Sequence, residues 1–171
     1  EKRLTQSDLA KRLKISLSTV NNALLPLKRM HAIEIKKNGF VIINPKKILF
    51  LWASIRNLEK DIIYKTRVEK SVIDIEKNMP RDIIYGTYSA YKFIFKDVPA
   101  DYSEVYVYAN DLKEIKKRFP ENNNRANLFV LKKDISQMSL ALLFVDLWNM
   151  KEWYAHDFLK ALEEKLKNIY K

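Results

Sequence analysis

The stretch from Gln6 to Val20, with the sequence QSDLAKRLKISLSTV, decides the fold. Thr5 comes immediately before it and can act as a helix N-cap, because its hydroxyl can accept a hydrogen bond from a backbone amide of the first turn. Asp8, three residues later, suits the positive end of such a helix. Three apolar residues then fall on one helical face: Leu9, Ala10 and Leu13. The stretch therefore begins with a short amphipathic helix.

The second part of the stretch predicts another helix after a tight turn. Lys14 and Ile15 interrupt the first apolar pattern, and Ser16 is a natural cap for a helix that runs to about Met30. The expected buried stripe of this helix recurs at helical spacing: Val20, Ala23, Leu24 and Leu27. Two short helices are therefore expected to pack against each other.

A β-hairpin is predicted directly after these helices. Residues 33–43 contain two runs rich in β-branched side chains that flank Asn38 and Gly39. This dipeptide is the strongest short hairpin signal, because a type I′ turn requires positive φ at both central residues. The order helix, turn, helix and basic-tipped hairpin is that of a winged helix-turn-helix.

The stretch from Gln6 to Val20 also resembles the helix-turn-helix of many bacterial and archaeal winged-helix regulators, and the resemblance spans about residues 4–44. Lys14 stands at a turn position that these proteins usually fill with Gly. The resemblance implies that the second helix enters the major groove of double-stranded DNA and contacts bases near its N-terminus. The contact residues it implies are Ser18, Thr19, Asn21 and Asn22.

Side chains expected to face outward from these elements form a candidate DNA-binding site. Asn can hydrogen-bond bidentately to adenine, Ser and Thr can contact several base edges, and Lys and Arg suit phosphates. The predicted contact residues are Ser16, Ser18, Thr19, Asn21, Asn22, Lys28, Arg29, Lys36, Lys37 and Asn38. The last three lie at the wing tip, where they can reach a phosphate or the minor groove. A helical domain that only pairs with another protein is the competing hypothesis.

Positive charge is concentrated near the N-terminus. The 171-residue chain has a net charge of +11, and residues 1–60 hold thirteen Lys and Arg against four Asp and Glu, whereas residues 61–171 hold nineteen against seventeen. A polyanion attracts basic surface and releases counterions when it is bound. The asymmetry indicates a nucleic-acid face in the first third, although a lysine-rich solvated surface would give the same composition.

Two further helices are predicted in the middle of the chain. A cap and a first-turn proline at residues 44–45 begin a long helix whose apolar pattern continues to Ile62. Thr66 and Glu69 have the spacing of a capping box and predict another helix, which Pro80 ends.

Strands and helices alternate in the remainder. The predicted strands are at 82–87, 104–109 and 128–132, and the predicted helices are at 89–95, 111–119, 136–149 and 152–171. The fold class is therefore α+β. Residues 1–62 form the winged helix-turn-helix with a linker helix, and residues 63–171 form a small α/β domain with a mixed sheet of about three to four strands and flanking helices.

This second domain resembles the C-terminal domain of AbiEi-type antitoxins and related archaeal regulators, which has a nucleotidyltransferase-like fold. The resembling segments are residues 83–87, 105–108 with the basic helix after them, and 143–148. Active nucleotidyltransferases follow the first strand with a Gly-Ser turn and hold magnesium with paired acids on the next strand. Here the turn is Gly86 and Thr87 and no acid-x-acid pair follows, because Tyr106 and Tyr108 cannot bind Mg²⁺ as carboxylates do. We therefore expect neither catalysis nor a cofactor.

Other site chemistry lacks support in the sequence. There is no cysteine, and His31 and His156 are isolated, so no metal site is expected. No run is long and apolar enough to cross a membrane, and we expect a soluble cytoplasmic protein. Three tyrosines can either line a small-molecule pocket or pack in the core: Tyr85, Tyr88 and Tyr91.

The sequence predicts a transcription regulator that is not an enzyme and that binds double-stranded DNA sequence-specifically. Because regulators of this class usually bind as dimers, we expect a homodimer. The second domain would supply dimerisation, partner binding or sensing of a small-molecule effector. The alternative is an antitoxin-like protein that neutralises a partner enzyme through residues 65–171 and represses its own operon through the winged helix. Nucleotidyl transfer is a third hypothesis, for which Asp82 and Glu104 are the acids to test.

Overall fold

The computed structural model describes residues 4–167 and divides the chain into two compact units. The first unit extends to Ser54, and the second begins at Ile55. Helices and strands occur in both units, which confirms the α+β fold class. Within the described residues no helix is both long enough and apolar enough to span a membrane.

The first unit contains three helices and a hairpin. Its helices are α1 (Gln6–Leu13), α2 (Leu17–Arg29) and α3 (Pro45–Ile55), the last of which ends one residue beyond the unit. Strand β1 (Ile33–Lys36) pairs antiparallel with β2 (Gly39–Ile42). The order α1, α2, hairpin and α3 agrees with the winged helix-turn-helix predicted from the sequence.

Local hydrogen bonds explain where the three helices begin. Each cap oxygen accepts the backbone amide three residues later: Thr5 Oγ1 from Asp8 (3.0 Å), Ser16 Oγ from Thr19 (3.0 Å) and Asn44 Oδ1 from Lys47 (3.1 Å). Such a bond satisfies an amide that has no partner inside its own helix. The three predicted N-caps are thereby confirmed.

The core of the first unit lies between α2 and the hairpin. Its buried members are Val20, Leu24, Ile33 and Phe40, with Leu4, Leu9, Ala10, Leu27 and Ile48 packed against them. Leu13, expected in this core, is 60% exposed, because it ends a short helix that reaches the core through Leu9 and Ala10. Ala23 was also expected inside and is exposed. It follows Val20 by three residues, so it lies about 60° to one side of the buried stripe.

A four-stranded mixed sheet forms the centre of the second unit. Its strands are β3 (Ile62–Thr66), β4 (Ile84–Tyr85), β5 (Val105–Ala109) and β6 (Leu128–Lys132), in the order β3-β6-β5-β4. Strands β5 and β6 are parallel, and β3 and β4 are antiparallel to their neighbours. All five residues of β5 are buried, as expected for a central strand. The predicted mixed sheet is confirmed.

Strand β3 occupies a segment that the sequence assigned to helices. The long helix ends at Ile55 rather than Ile62, and a 3₁₀ turn at Leu58–Asp61 follows it. Thr66 ends β3, and its hydroxyl donates to the carbonyl of Pro120 at 2.8 Å instead of capping a helix. The predicted start at Thr66 is therefore wrong, and the next helix, α4 (Val72–Lys77), is capped by Ser71.

The remaining helices of the second unit are α5 (Thr87–Phe95), α6 (Lys113–Arg118), α7 (Leu140–Trp148) and α8 (Ala155–Leu166). Side chains of α4 and α6 share one hydrophobic cluster with β3, β5 and β6. Tyr88 and Tyr91 are fully buried and contact Phe158 of α8, so these two tyrosines belong to the core. The predicted last helix extends to residue 171, and residues 168–171 lie outside the described part of the chain.

Candidate nucleic-acid interface

The turn between α1 and α2 sets the direction of α2. Lys14 has φ 54° and ψ 42°, the left-handed conformation that Gly adopts without steric cost. The amides of Lys14 and Ile15 donate to the carbonyls of Lys11 (3.3 Å) and Ala10 (3.1 Å) and so satisfy the end of α1. These bonds hold a non-glycine residue at the position that similar turns usually give to Gly.

Ser16 and Thr19 form the exposed N-terminal corner of α2. Ser16 Oγ accepts the Thr19 amide and also lies 2.8 Å from Thr19 Oγ1, where either hydroxyl can donate. Ser16 thus has a structural role in addition to its predicted DNA contact. A hydroxyl has one donor and two acceptor sites, so Thr19 retains hydrogen-bonding capacity for a ligand.

One face of α2 collects most of the predicted contact residues. With about 100° of rotation per residue, Ser18, Asn22 and Arg29 lie nearly opposite the buried Val20. Three residues flank this line on one side: Asn21, Leu25 and Lys28. All six are exposed, and α2 contains no acidic residue. A polar and cationic face of this kind suits an anionic ligand whose bases present hydrogen-bonding edges.

Pro26 lies inside α2, where sequence reasoning gave it no role. Proline has no amide hydrogen, so it cannot donate to the carbonyl of Asn22 four residues earlier. The Asn22 carbonyl therefore lacks the amide donor that a helix normally supplies four residues later, and it lies next to the exposed side-chain amide of the same residue. The sequence signal for this carbonyl is a proline four residues after Asn22 within the predicted helix.

The wing turn differs from the predicted type. Lys36 pairs with Gly39, so Lys37 and Asn38 form the two-residue loop. Gly39 has a φ of 124°, whereas Asn38 is not in the positive-φ region. The hairpin is confirmed, and the type I′ turn centred on Asn38 and Gly39 is wrong.

The N-terminal segment explains why Gly is needed in the wing. Leu4 and Phe40 exchange two backbone hydrogen bonds, of 3.0 Å and 2.8 Å, which brings the chain before α1 against β2. A Cβ atom on Gly39 would lie 2.2 Å from the Leu4 carbonyl oxygen. The close approach and the positive φ both require Gly at this position.

The basic residues of the wing differ in their partners. Lys36 Nζ lies 2.5 Å from Glu34 Oε1, in a pair whose two side chains are exposed. Part of the Lys36 charge is therefore offset within the hairpin. Lys37 and Asn38 are exposed at the tip of the loop. Of the two predicted wing lysines, Lys37 is thus the better placed to contact a phosphate.

Positive charge dominates the described part of the first unit. Residues 4–54 contain nine Lys and Arg, and their two acidic residues are Asp8 in the first turn of α1 and the paired Glu34. Lys47, absent from the predicted site, donates from Nζ to the Met30 carbonyl at 2.6 Å and so caps the C-terminal end of α2. The unit therefore combines a basic surface with one acid-free polar helix face.

Beside its Gly86 turn, the second unit has tyrosines on the next strand, where active nucleotidyltransferases have the paired acids that hold magnesium. The Gly86 amide donates to the Tyr106 carbonyl at 2.9 Å, and both Tyr106 and Tyr108 are buried. Tyr108 donates from its hydroxyl to Asp146 at 2.5 Å, and burial raises the pKa of this phenol. Among residues 4–167, no group of three or more His, Cys, Asp or Glu side chains lies close enough together to hold a metal ion.

Residues 1–34 match the family model for winged helix-turn-helix DNA-binding. The match covers α1 and α2, the segment that carries the exposed Ser, Thr and Asn side chains. This part of the chain is therefore similar to winged helix-turn-helix DNA-binding domains. Comparison of the chain with curated proteins and with solved structures gives no significant match.

Proposed function

We propose that this protein is a transcription regulator that binds double-stranded DNA sequence-specifically by inserting α2 into the major groove. The observation that carries the proposal is the exposed face of α2, on which Ser18, Asn21 and Asn22 precede Lys28 and Arg29 with no intervening acid. In helix-turn-helix proteins the N-terminal part of the second helix contacts base edges. The match of residues 1–34 to a DNA-binding family supports this assignment.

Each part of the surface has a distinct role in this proposal. Asn21 and Asn22 hydrogen-bond to adenine, and Ser18 and Thr19 contact neighbouring base edges. The N-terminal amides of the helices, together with Lys28, Arg29 and Lys37, contact phosphates. Ser16 acts mainly through the cap that holds the first turn of α2.

The test is a selection of binding sites from random duplexes, followed by affinity measurements on the selected duplex and its single-base variants. Asn21→Ala and Asn22→Ala should each reduce discrimination by ~1–3 kcal/mol per lost bidentate contact. Asn123→Ala is the matched control, because Asn123 is exposed in a loop of the second unit. Equal losses on all sequences from the α2 variants, or a loss from the control, would contradict base recognition by this helix.

We further propose that the protein binds DNA as a homodimer. A single short helix reads few bases, and two-fold dimers gain specificity from half-sites about one helical turn apart. The selected motif should therefore be an inverted repeat bound with two chains per duplex. Sedimentation of the complex tests this stoichiometry, and one chain on an asymmetric motif would contradict it.

Binding of a protein partner through the second unit, as in an antitoxin, is a second candidate function. The observation in its favour is Trp153, which is 79% exposed just before α8. Exposed aromatic side chains of this size are characteristic of interaction surfaces. Co-purification with the product of an adjacent reading frame should be lost in Trp153→Ala, and retention of a complex by this variant would count against that surface.

We also propose that the second unit does not catalyse nucleotidyl transfer. Buried tyrosines, rather than carboxylates, lie beside the Gly86 turn, and Tyr108 is held by Asp146. Metal-dependent NTP turnover that Asp82→Asn or Glu104→Gln abolishes would overturn this proposal.

A further inference from the structure

The second unit contains an open groove on one face of its sheet. A cleft of about 870 Å³ is lined by residues 56–59 and 149–152, among others. An adjoining cavity of about 450 Å³ shares Lys65, Phe129 and Glu152 with it, so the two form one groove. Its size is in the range of small-molecule sites.

Aromatic side chains form the floor of the groove. Tyr106 and Phe129 are opposite each other on the parallel strands β5 and β6, and their rings stack with centroids 4.6 Å apart and an interplanar angle of 10°. Phe129 is partly exposed and lines both cavities. The floor therefore offers apolar ring surface to a flat ligand.

A buried carboxylate with one unpaired oxygen lies beside this floor. Glu104 lines the smaller cavity and is only 8% exposed, yet its Oε2 accepts no hydrogen bond from any residue in the range 4–167. Such an atom normally has a hydrogen-bond donor or a cation, because burying it alone is costly. Burial, and then the nearby Glu152, raise the pKa of Glu104, whereas hydrogen bonding to Ser103, and then Arg125 at the same cavity, act in the opposite direction.

The second acid of the groove is oriented by its neighbours. Glu152 Oε2 accepts hydrogen bonds from the Tyr88 hydroxyl at 2.8 Å and from the Lys151 amide at 3.2 Å. The Lys151 ammonium group is paired with Glu59, which also lines the cleft, and interacts electrostatically with Glu152 as well. The groove thus places two carboxylates near an aromatic floor, and one oxygen of the more buried one, Glu104 Oε2, has no hydrogen-bond donor among residues 4–167.

We propose that this groove binds a small planar aromatic molecule that carries an amidine- or guanidine-type cation. The ring packs against Phe129, and the cationic N–H groups donate to Glu104 and Glu152. A planar cation matches carboxylates through charge-assisted hydrogen bonds, which are stronger than neutral ones.

The groove has a direct connection in sequence to the DNA-binding unit. Residues 56–59, one wall of the cleft, follow immediately after Ile55, where α3 ends. A ligand held against this wall therefore contacts the segment that leads out of α3. The effector role that this suggests rests on the proposed function, whereas ligand binding by the second unit does not.

The probes for this site are benzamidine and its isosteres benzamide and benzoate, titrated into the ¹⁵N-labelled full chain without DNA. Benzamidine should shift the amide signals of residues around Glu104, Phe129 and Glu152. Benzamide should bind about tenfold or more weakly, as expected from loss of a charged hydrogen bond, and benzoate should not bind at this site. Absence of benzamidine binding at millimolar concentration, or equal binding of benzoate, would overturn the proposal.

Matched substitutions locate the site. Glu104→Gln and Glu152→Gln should each weaken benzamidine about tenfold, whereas Glu121→Gln, at an exposed acid of the same cavity, should leave its affinity unchanged. The two site variants are independent, so the test remains if one of them fails to fold. Equal effects of all three substitutions would overturn the assignment. Since ligand binding is measured without DNA and DNA selection without ligand, failure of one proposal is distinguishable from failure of the other.

Discussion

Asp146 shows how one buried side chain can make the stability of the second unit depend on pH. Its carboxylate is fully buried on α7, accepts the Tyr108 hydroxyl at 2.5 Å and lies 3.5 Å from Arg56 Nε. Arg56 also pairs with Asp61 at 2.5 Å. Burial raises the pKa of Asp146 to about 6 from 3.8, although Tyr108 and Arg56 act in the opposite direction.

We predict that the native protein loses stability relative to Asp146→Asn as the pH rises from about 4 to about 7. The quantity to compare is the difference between their free energies of unfolding. A group whose pKa is raised on folding stabilises the folded state fully when the pH is below the pKa of the unfolded chain, here near 3.8. This contribution is lost as the pH rises through the pKa of the folded state, about 6. The loss is on the order of 3 kcal/mol. Denaturant unfolding of both proteins across this range measures it, and a constant difference would contradict the raised pKa.

At the level of single elements, the wing depends on Gly39. We predict that Gly39→Ala destabilises the hairpin by ~1–3 kcal/mol, because a Cβ atom would collide with the Leu4 carbonyl and the φ of 124° disfavours Ala. Hydrogen exchange of the Phe40 amide, which donates to Leu4, should accelerate. Lys37→Ala, in the adjacent loop, is the control and should leave this exchange unchanged. Native protection of Phe40 in Gly39→Ala would contradict the close approach.

The N-cap of α2 allows its structural role to be separated from its contribution to DNA binding. Ser16→Ala should lower the free energy of unfolding by ~1 kcal/mol, because the Thr19 amide loses its acceptor. Ser16→Asp should preserve stability, since Asp is also a good cap, but should weaken DNA binding by placing a negative charge near phosphates. Thermal unfolding and DNA titration of both variants measure the two effects. If Ser16→Asp bound DNA with native affinity, this corner of α2 would not lie near the duplex.

Elements defined by local interactions were predictable from the sequence, and those defined by distant contacts were not. The caps at Thr5 and Ser16 act over three residues, so the sequence alone reveals them. Thr66 with Glu69 has the same spacing, but Thr66 instead bonds to Pro120 and Asn122 and pairs with Leu128. The strand depends on partners more than fifty residues away, which a short sequence window does not contain.

The candidate sites follow the same division. The exposed residues of α2 lie on one continuous helix, so helical periodicity was enough to place them on one face. The groove in the second unit combines residues from three strands with residues from several separate connecting segments. From the sequence, Glu104 could be considered only as a possible catalytic acid. The aromatic floor of the cavity that Glu104 lines depends on the parallel register of Tyr106 and Phe129.

For the whole molecule, the uneven distribution of charge predicts how DNA affinity responds to salt. Lys28→Ala or Lys37→Ala should each lower the slope of log affinity against log salt by about 1, because each removes one phosphate contact and its released counterion. Lys36→Ala should have a smaller effect, since Glu34 already offsets its charge. Lys117→Ala is the control, because Lys117 is exposed on α6 of the second unit, and it should not alter the slope. Equal changes for Lys37 and Lys117 would indicate a diffuse charge effect without a defined interface.

Salt is also expected to weaken the ion pair between Lys151 and Glu59 in the second unit. Both side chains are largely exposed, so mobile ions screen their attraction. They join the segment that follows α3 to the segment that follows α7, and both residues line the cleft. A rise in ionic strength therefore weakens this tether in the second unit under the same conditions that would weaken the proposed DNA binding by the first.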